Sequence, residues 1–292
     1  MRPRRARPKH LAPLLFVLPY VVLLALFGVF PVTYAVVLAV STPKGGFAGI
    51  NNFVAVIADY RLPASLANVG AYVLIWLAAL MVLVVGLALL THQRFHRFSK
   101  VARFSFYLPG ALAGSASVLV WMFMLDPTVS PAASLLKGVG IETFTQSTAP
   151  GHLAFIFAVI AFWTGAGGWI VIMYGALNNI PGELIEAAQV DGANPFRIAW
   201  SIQLPLIRKW IAYMLIISFA TGTQLFVEPQ LLAAATFGGV SESWSVNQLS
   251  LIYAFQYGDF NRAAALNVGL LAIALALAIF VISKVKLFDT EA

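Results

Sequence analysis

Few side chains in this sequence could do chemistry, and most of them sit in two places. One is Glu228, inside an otherwise uncharged stretch from Trp210 to Ala235, with Gln224 one turn earlier and Pro229 immediately after. A charge near the centre of a bilayer costs roughly 2.5–3.5 kcal/mol, so a carboxylate there is a functional candidate by default. On a helix, Gln224 and Glu228 would share a face. Pro229 would remove a backbone donor and free carbonyls, and the set could contact the hydroxyls of a passing solute. The plainer alternative puts Glu228 at the outer end of the stretch or against a partner chain. Trp163, with Trp169 and Tyr174, could stack on a solute ring, although helix packing or interface anchoring accounts for them better. Gly165, Gly167, Gly168 and Gly175 are read as points of close helix approach. His92 and His96 stand four apart but lack a third ligand, so no metal site is expected. No paired carboxylates or Ser/His/Asp order suggest catalysis. There is no cysteine and no Gly-x-x-x-x-Gly-Lys-Ser/Thr phosphate loop.

The second place is the segment Asn178–Lys209. Pro181 suits a first helical turn, where a missing N–H matters least. Glu183 and Glu186 sit in the early turns, where the helix dipole favours acids. Leu184, Ala187 and Ala188 recur at helical spacing. Asp191-Gly192 predicts a break, because Gly192 can take positive φ. Ala193 then leads to Asn194, a cap for a second helix with Pro195 at its first position. That helix is expected to reach about Gln203 and stop at Leu204-Pro205. Its apolar side (Phe196, Ile198, Ala199, Ile202) is unusual for a surface loop unless it packs on another protein.

The elements that must hold these residues follow from composition. Of 292 residues, 61% are hydrophobic and only 10% charged. An ordinary soluble domain carries about 25% charged residues, so lipid must be part of the solvent. A span needs about 20 mostly apolar residues, and six segments qualify: within 11–40, then 68–90, 104–125, 153–177, 210–235 and 263–283. Backbone groups in lipid must be paired within the segment, which requires helices. The expected fold is therefore all-α, a polytopic membrane protein with six transmembrane helices. Lys and Arg fix its orientation. One set of connecting segments holds fourteen (Arg2, Arg4, Arg5, Arg7, Lys9, Arg94, Arg97, Lys100, Arg103, Arg197, Arg208, Lys209, Lys284, Lys286). The other holds four, Lys44, Arg61, Lys137 and Arg262. The positive-inside rule puts the first set, and both termini, in the cytoplasm. It also explains the net charge of +7 without nucleic acid. The chain divides into a basic cytoplasmic N-terminus (1–10), a membrane domain (11–283) with a cytoplasmic loop at 178–209, and a cytoplasmic C-terminus (284–292).

That loop resembles the EAA loop of permease subunits of ABC importers, the binding-protein-dependent sugar-permease type. Glu186-Ala187-Ala188, Gly192, Ile202 and Leu204-Pro205 stand in the family's register, and Ile180-Pro181, Glu183-Leu184 and Asp191-Gly192-Ala193 match the extended sugar-type form. Phe47 to Phe53, Leu108-Pro109 and Phe162-Trp163 are also similar to the maltose-permease type. Trp200, Arg208-Lys209 and the stretch Val129–Ala133 depart from the usual pattern. The resemblance implies a multi-pass protein of the bacterial cytoplasmic membrane that carries a sugar or polyol and does not itself hydrolyse ATP. It implies that ATP and Mg are bound by two copies of a separate ATPase subunit. A second permease subunit, as a heterodimer, and an extracytoplasmic solute-binding protein complete the assembly. The loop would dock on the ATPase. Gly192 would set its turn, Glu186 would fix the turn by hydrogen bonding, and Ala187-Ala188 would permit close approach. An importer of a non-sugar solute, or an ATP-independent transporter or channel, are the alternatives.

Overall fold

The computed structural model describes residues 11–93, 104–112 and 114–285. The basic N-terminus, the basic loop at 94–103 with His96, and the C-terminus from 286 lie outside them. Among the described residues there is no strand, only a single bridge between Ser41 and Phe47. Five helical segments are long and apolar enough to cross a membrane: Leu15–Ala39, Arg61–Leu90, Pro150–Asn178, Pro195–Ala235 and Phe260–Lys284. The expected third span is present as a bent pair, Phe104–Ala111 and Gly114–Leu125, inclined by 108°. Pro109 lies in the single 3-10 turn Leu108–Ala111, where an α-helical hydrogen bond would be lost in any case.

Two prolines inside spans, Pro31 and Pro205, do not stop their helices, although Leu204-Pro205 was expected to. Pro31 follows the π-helical turn Ala25–Val29, and Pro205 follows the π-helical turn Ala199–Gln203. A proline in a regular α-helix clashes with the carbonyl four residues back. The wider π turn falls at that carbonyl each time, at Phe27 and Ser201, and lets the chain run on. The helix that opens at Pro195 therefore does not end at Leu204-Pro205. It continues into the fifth span, Leu204–Gly222.

The fourth span, Pro150–Asn178, is the axis of the bundle. It packs on Arg61–Ala79, Val85–Gln93, Leu108–Ala111 and Leu204–Gly222. Its fully buried side chains Leu153, Phe157, Ile160, Ile170, Met173 and Leu177 recur three or four apart or at multiples of a turn, as one inward face requires. Trp244 meets Phe157 edge to face at 4.8 Å and, with Trp76, belongs to the core. The first and sixth spans are peripheral. Nothing in the apolar window of the first span is buried, against about a third of the windows in the second and fifth.

Amides fasten the periphery. Asn52 Nδ2 donates to the carbonyls of Ala39 (2.9 Å) and Ser41 (2.8 Å), and Asn261 Nδ2 to those of Leu38 and Ser41, both at 2.9 Å. The last carbonyls of a helix have no partners within it, so two distant amides cap the first span. This is the physical content of the Phe47–Phe53 segment. Asn52→Leu or Asn261→Leu is expected to destabilise the purified protein by about 1–3 kcal/mol, because buried carbonyls lose their donors. A thermal-unfolding midpoint identical to the parent's would refute that role.

Candidate functional site

The hairpin after the fourth span is built as the local chemistry dictates. The fourth helix ends at Asn178 with Asn179 as its cap. Pro181 is the N-cap residue of the next helix, Gly182–Val190, rather than its first turn. Asp191 caps its other end. Gly192 has φ +77°, its N–H donates to Gln189 O at 3.0 Å, and the Ala193 N–H donates to Ala188 O at 2.9 Å. These two bonds with a left-handed glycine form a Schellman turn. Asn194 Oδ1 accepts from Arg197 N at 2.8 Å, with Pro195 at the first position of the next helix. The expected break, cap and second start are all present.

One expected role is corrected. The Glu186 side chain is exposed and makes no hydrogen bond to any described residue. The turn is fixed by backbone bonds instead. Ala187 is exposed and Ala188 half-buried, while the Ala188 carbonyl closes the turn. No residue of Gly182–Val190 is buried. Val190 at its end is 87% exposed and, beyond it, Phe196 77% and Trp200 66%, and the last two rings stack at 6.3 Å. Ile198 alone of the second helix's expected apolar side is fully buried, with Ala199 and Ile202 half-buried and Phe196 turned outward. Among the described residues the hairpin thus carries an uncovered apolar crown.

The residues read as a solute path are not brought together. The fifth span breaks at Thr223–Phe226, before Glu228-Pro229, and a new helix runs Val227–Ala235. Gln224 and Glu228 therefore do not share a helical face. Glu228 is half-buried in the first turn of that new helix, where the dipole favours an acid. Pro229 also sits in a first turn, where its missing donor exposes little. Gln224 is exposed to cavities between the fifth and sixth spans that Glu228 and Trp163 do not line. Trp163 packs edge to face on Trp121 at 5.8 Å, and Trp169 on Tyr213 at 5.9 Å. Among the four glycines, Gly167 alone has atoms of another element in the place of a Cβ.

An ionic cluster at the opposite end escaped the sequence reading. Asp59 accepts from Arg61 through Nε (3.0 Å) and the second guanidinium nitrogen (2.7 Å), and from Tyr253 Oη at 2.5 Å. Arg61 also donates to Tyr257 Oη at 3.3 Å. Nearby, Ser65 Oγ donates to Ser243 O at 2.6 Å and Asn68 Nδ2 to Trp244 O at 3.2 Å. The loop before the sixth span is thereby stitched to the second. Asp59-x-Arg61 before an apolar helix hints at the local pair, but nothing in the sequence announces a tyrosine nearly two hundred residues away. Hydrogen bonds from Arg61 hold the Asp59 carboxyl well below the usual carboxylate range. A depressed native value contributes stability that is fully present above the ordinary carboxylate range and is lost progressively as pH falls from there through the native value. The latch should therefore hold through mildly acidic pH, whereas Asp59→Asn should destabilise by about 1–3 kcal/mol. Thermal melts of both proteins between pH 5 and 8 check this: equal midpoints would refute it.

A bundle of apolar helices with an exposed hairpin on one end and tied loops on the other defines a multi-pass membrane protein. The chain belongs to the family of binding-protein-dependent transport system inner membrane components, which residues 96–289 match. It is therefore an inner-membrane permease subunit that works with a binding protein. It is 28% identical, over 92% of its length and 80% of the other's, to an alpha-glucoside transport system permease protein of Rhizobium meliloti (strain 1021). It is 27% identical to an sn-glycerol-3-phosphate transport system permease protein of Yersinia pestis bv. Antiqua (strain Antiqua), covering 94% of this chain and 95% of that one. Its fold is shared with a chain of a bacterial ABC transporter involved in import of the acidic polysaccharide alginate, with TM-score 0.79, 18% identity and 97% of each chain covered.

Proposed function

We propose that this chain is one of two permease subunits of an ATP-driven importer of a carbohydrate or polyol, with the 178–209 segment cytoplasmic and seated on a separate ATPase subunit. One observation carries the docking reading: the Gly182–Val190 helix buries none of its own residues yet is rigidly ended by a Schellman turn. Exposed Val190, Phe196 and Trp200 beside it leave an apolar surface that the described residues do not cover. Glu186, Ala187, Ala188, Asp191, Gly192, Ala193, Ile202, Leu204 and Pro205 form the hairpin and its root. ATP-driven closure of the partner would push the hairpin, and the helix continuous from Pro195 through the π turn would carry the push into the fifth span. ATP and Mg belong to that partner. The carbohydrate assignment rests on the extended EAA pattern and on relatives named for alpha-glucoside and diacetylchitobiose uptake.

The chain has no cysteine, so Ala187→Cys gives a single reactive position. In the assembled transporter it is expected to cross-link to a cysteine placed on the ATPase subunit. Labelling of that position from the extracytoplasmic side, or cross-linking only to the binding protein, would reject the reading. Vanadate-sensitive uptake separates an ATP-driven importer from a secondary transporter or channel.

A further inference from the structure

A cavity of about 360 Å³ opens between the fifth and sixth spans and adjoins one of about 630 Å³ that the first span also walls through Pro31, Tyr34 and Leu38; the same three carboxamides, Gln224, Asn247 and Asn267, line both. They come from three separate places. Gln224 stands at the break of the fifth span, Asn247 in the first turn of the Val246–Leu251 helix, and Asn267 about two turns into the sixth span. The chain itself leaves much of their hydrogen-bonding capacity unused. Gln224 Nε2 donates to Ala220 O at 3.1 Å and Asn267 Nδ2 to Ser250 Oγ at 2.9 Å, so both carboxamide oxygens remain open acceptors. The half-buried Asn247 side chain makes no hydrogen bond to any described residue. Gln224 and Asn267 are exposed and Asn247 half-buried on an otherwise apolar bundle, and polar groups that face an apolar medium are unfavourable unless something bonds to them. Three of them converging on one space point to a ligand rich in donors and acceptors.

The surroundings narrow its class. Tyr34, Phe226 and Phe255 face the larger cavity and offer ring surfaces to the apolar side of a pyranose. The volume is in the range of small-molecule sites, about 300–1,000 Å³. No Asp, Glu, Lys, Arg or His lines either cavity. A phosphate or uronate entering there would shed its water without meeting a counter-charge. We infer that Gln224, Asn247 and Asn267 form a solute-contact site for a neutral polyhydroxylated molecule, a glycoside or polyol rather than a phosphorylated or acidic one. This rests on the importer reading above.

The test uses the complete transporter in proteoliposomes, with its binding protein and internal ATP. It is offered neutral disaccharides and sugar alcohols on one side, and sn-glycerol 3-phosphate and a uronate on the other. ATP-dependent uptake of a neutral solute and not of the anions is expected. Asn247→Ala/Asn267→Ala should lower that uptake by about tenfold, as two lost hydrogen bonds would, with a raised KM for the solute, while the variant still copurifies with its ATPase subunit at the parent yield. Normal uptake by the double variant overturns the site, and uptake of the anions overturns the neutral class. If the double variant does not assemble, Asn267→Gln takes its place. It keeps the amide but crowds the cavity, and an unchanged KM for uptake overturns the site equally. Absence of any ATP-dependent uptake or stimulated hydrolysis in the parent would instead reject the importer reading itself.

Discussion

A Gly192→Val transporter is expected to assemble with its ATPase and to hydrolyse ATP, but to move solute about tenfold or more slowly than the parent. Gly192 sits at φ +77°, and a Cβ built there meets no atom within 4 Å. Crowding is therefore not the obstacle. The obstacle is the left-handed backbone, which costs an L-residue roughly 1–2 kcal/mol and a β-branched one more. Valine would relax the turn, breaking the bonds from Gly192 N to Gln189 O and from Ala193 N to Ala188 O, and the helix before it would lose its fixed angle to the helix after it. Since about 1.4 kcal/mol is a factor of ten, a loss of this size in the docked geometry is visible in uptake. The measurement is uptake per ATP hydrolysed in proteoliposomes. Gly192→Asn, a residue that tolerates the left-handed region, should recover most of the lost coupling. A valine variant with full uptake and full coupling would remove the hairpin's angle from the mechanism.

Much of this hairpin was legible because its signals are local. A proline, a capping asparagine and a glycine each act within a few residues, and the structure places all three at helix boundaries. The spans were legible for a similar reason, since each needs only its own composition. The errors arose where local signals were overridden. Pro205 looked like a stop, but a π turn two residues earlier removes the clash. Glu228-Pro229 looked like the break in the fifth span, but the chain had already turned at Thr223–Phe226, so the presumed shared face with Gln224 vanished. What could not be read at all was long-range pairing. Asn261 capping the first span, Tyr253 on Asp59, and Asn247 and Asn267 facing Gln224 across a cavity join segments with no fixed sequence relation. Neutral amides are especially easy to overlook, because they neither change charge nor interrupt an apolar run as a carboxylate does.

Gly167 tests whether the bundle is as closely packed as its glycines suggest, and Gly167→Ala is expected to be the most damaging single methyl in the protein. A Cβ on Gly167 would overlap the carbonyl oxygen of Phe106 and lie 2.5 Å from both the Phe106 carbonyl carbon and the Tyr107 Cα. All three are backbone atoms, so no rotamer change can make room. Either the fourth span shifts or the segment leading into the Leu108–Ala111 turn is pushed away. Overpacking of this kind costs about 1–3 kcal/mol and sometimes more, and in lipid close helix contact is itself a main source of association. Gly168 next door is the control. Nothing lies within 4 Å of its Cβ position, and alanine is the better helix former by about 1 kcal/mol. Gly168→Ala should therefore melt at or above the parent temperature, while Gly167→Ala melts well below it and yields less assembled complex. If the two alanine variants melt together, the third and fourth spans do not meet at Gly167. The 3-10 turn that holds Pro109 would then be free to move relative to the bundle axis instead of being clamped against it.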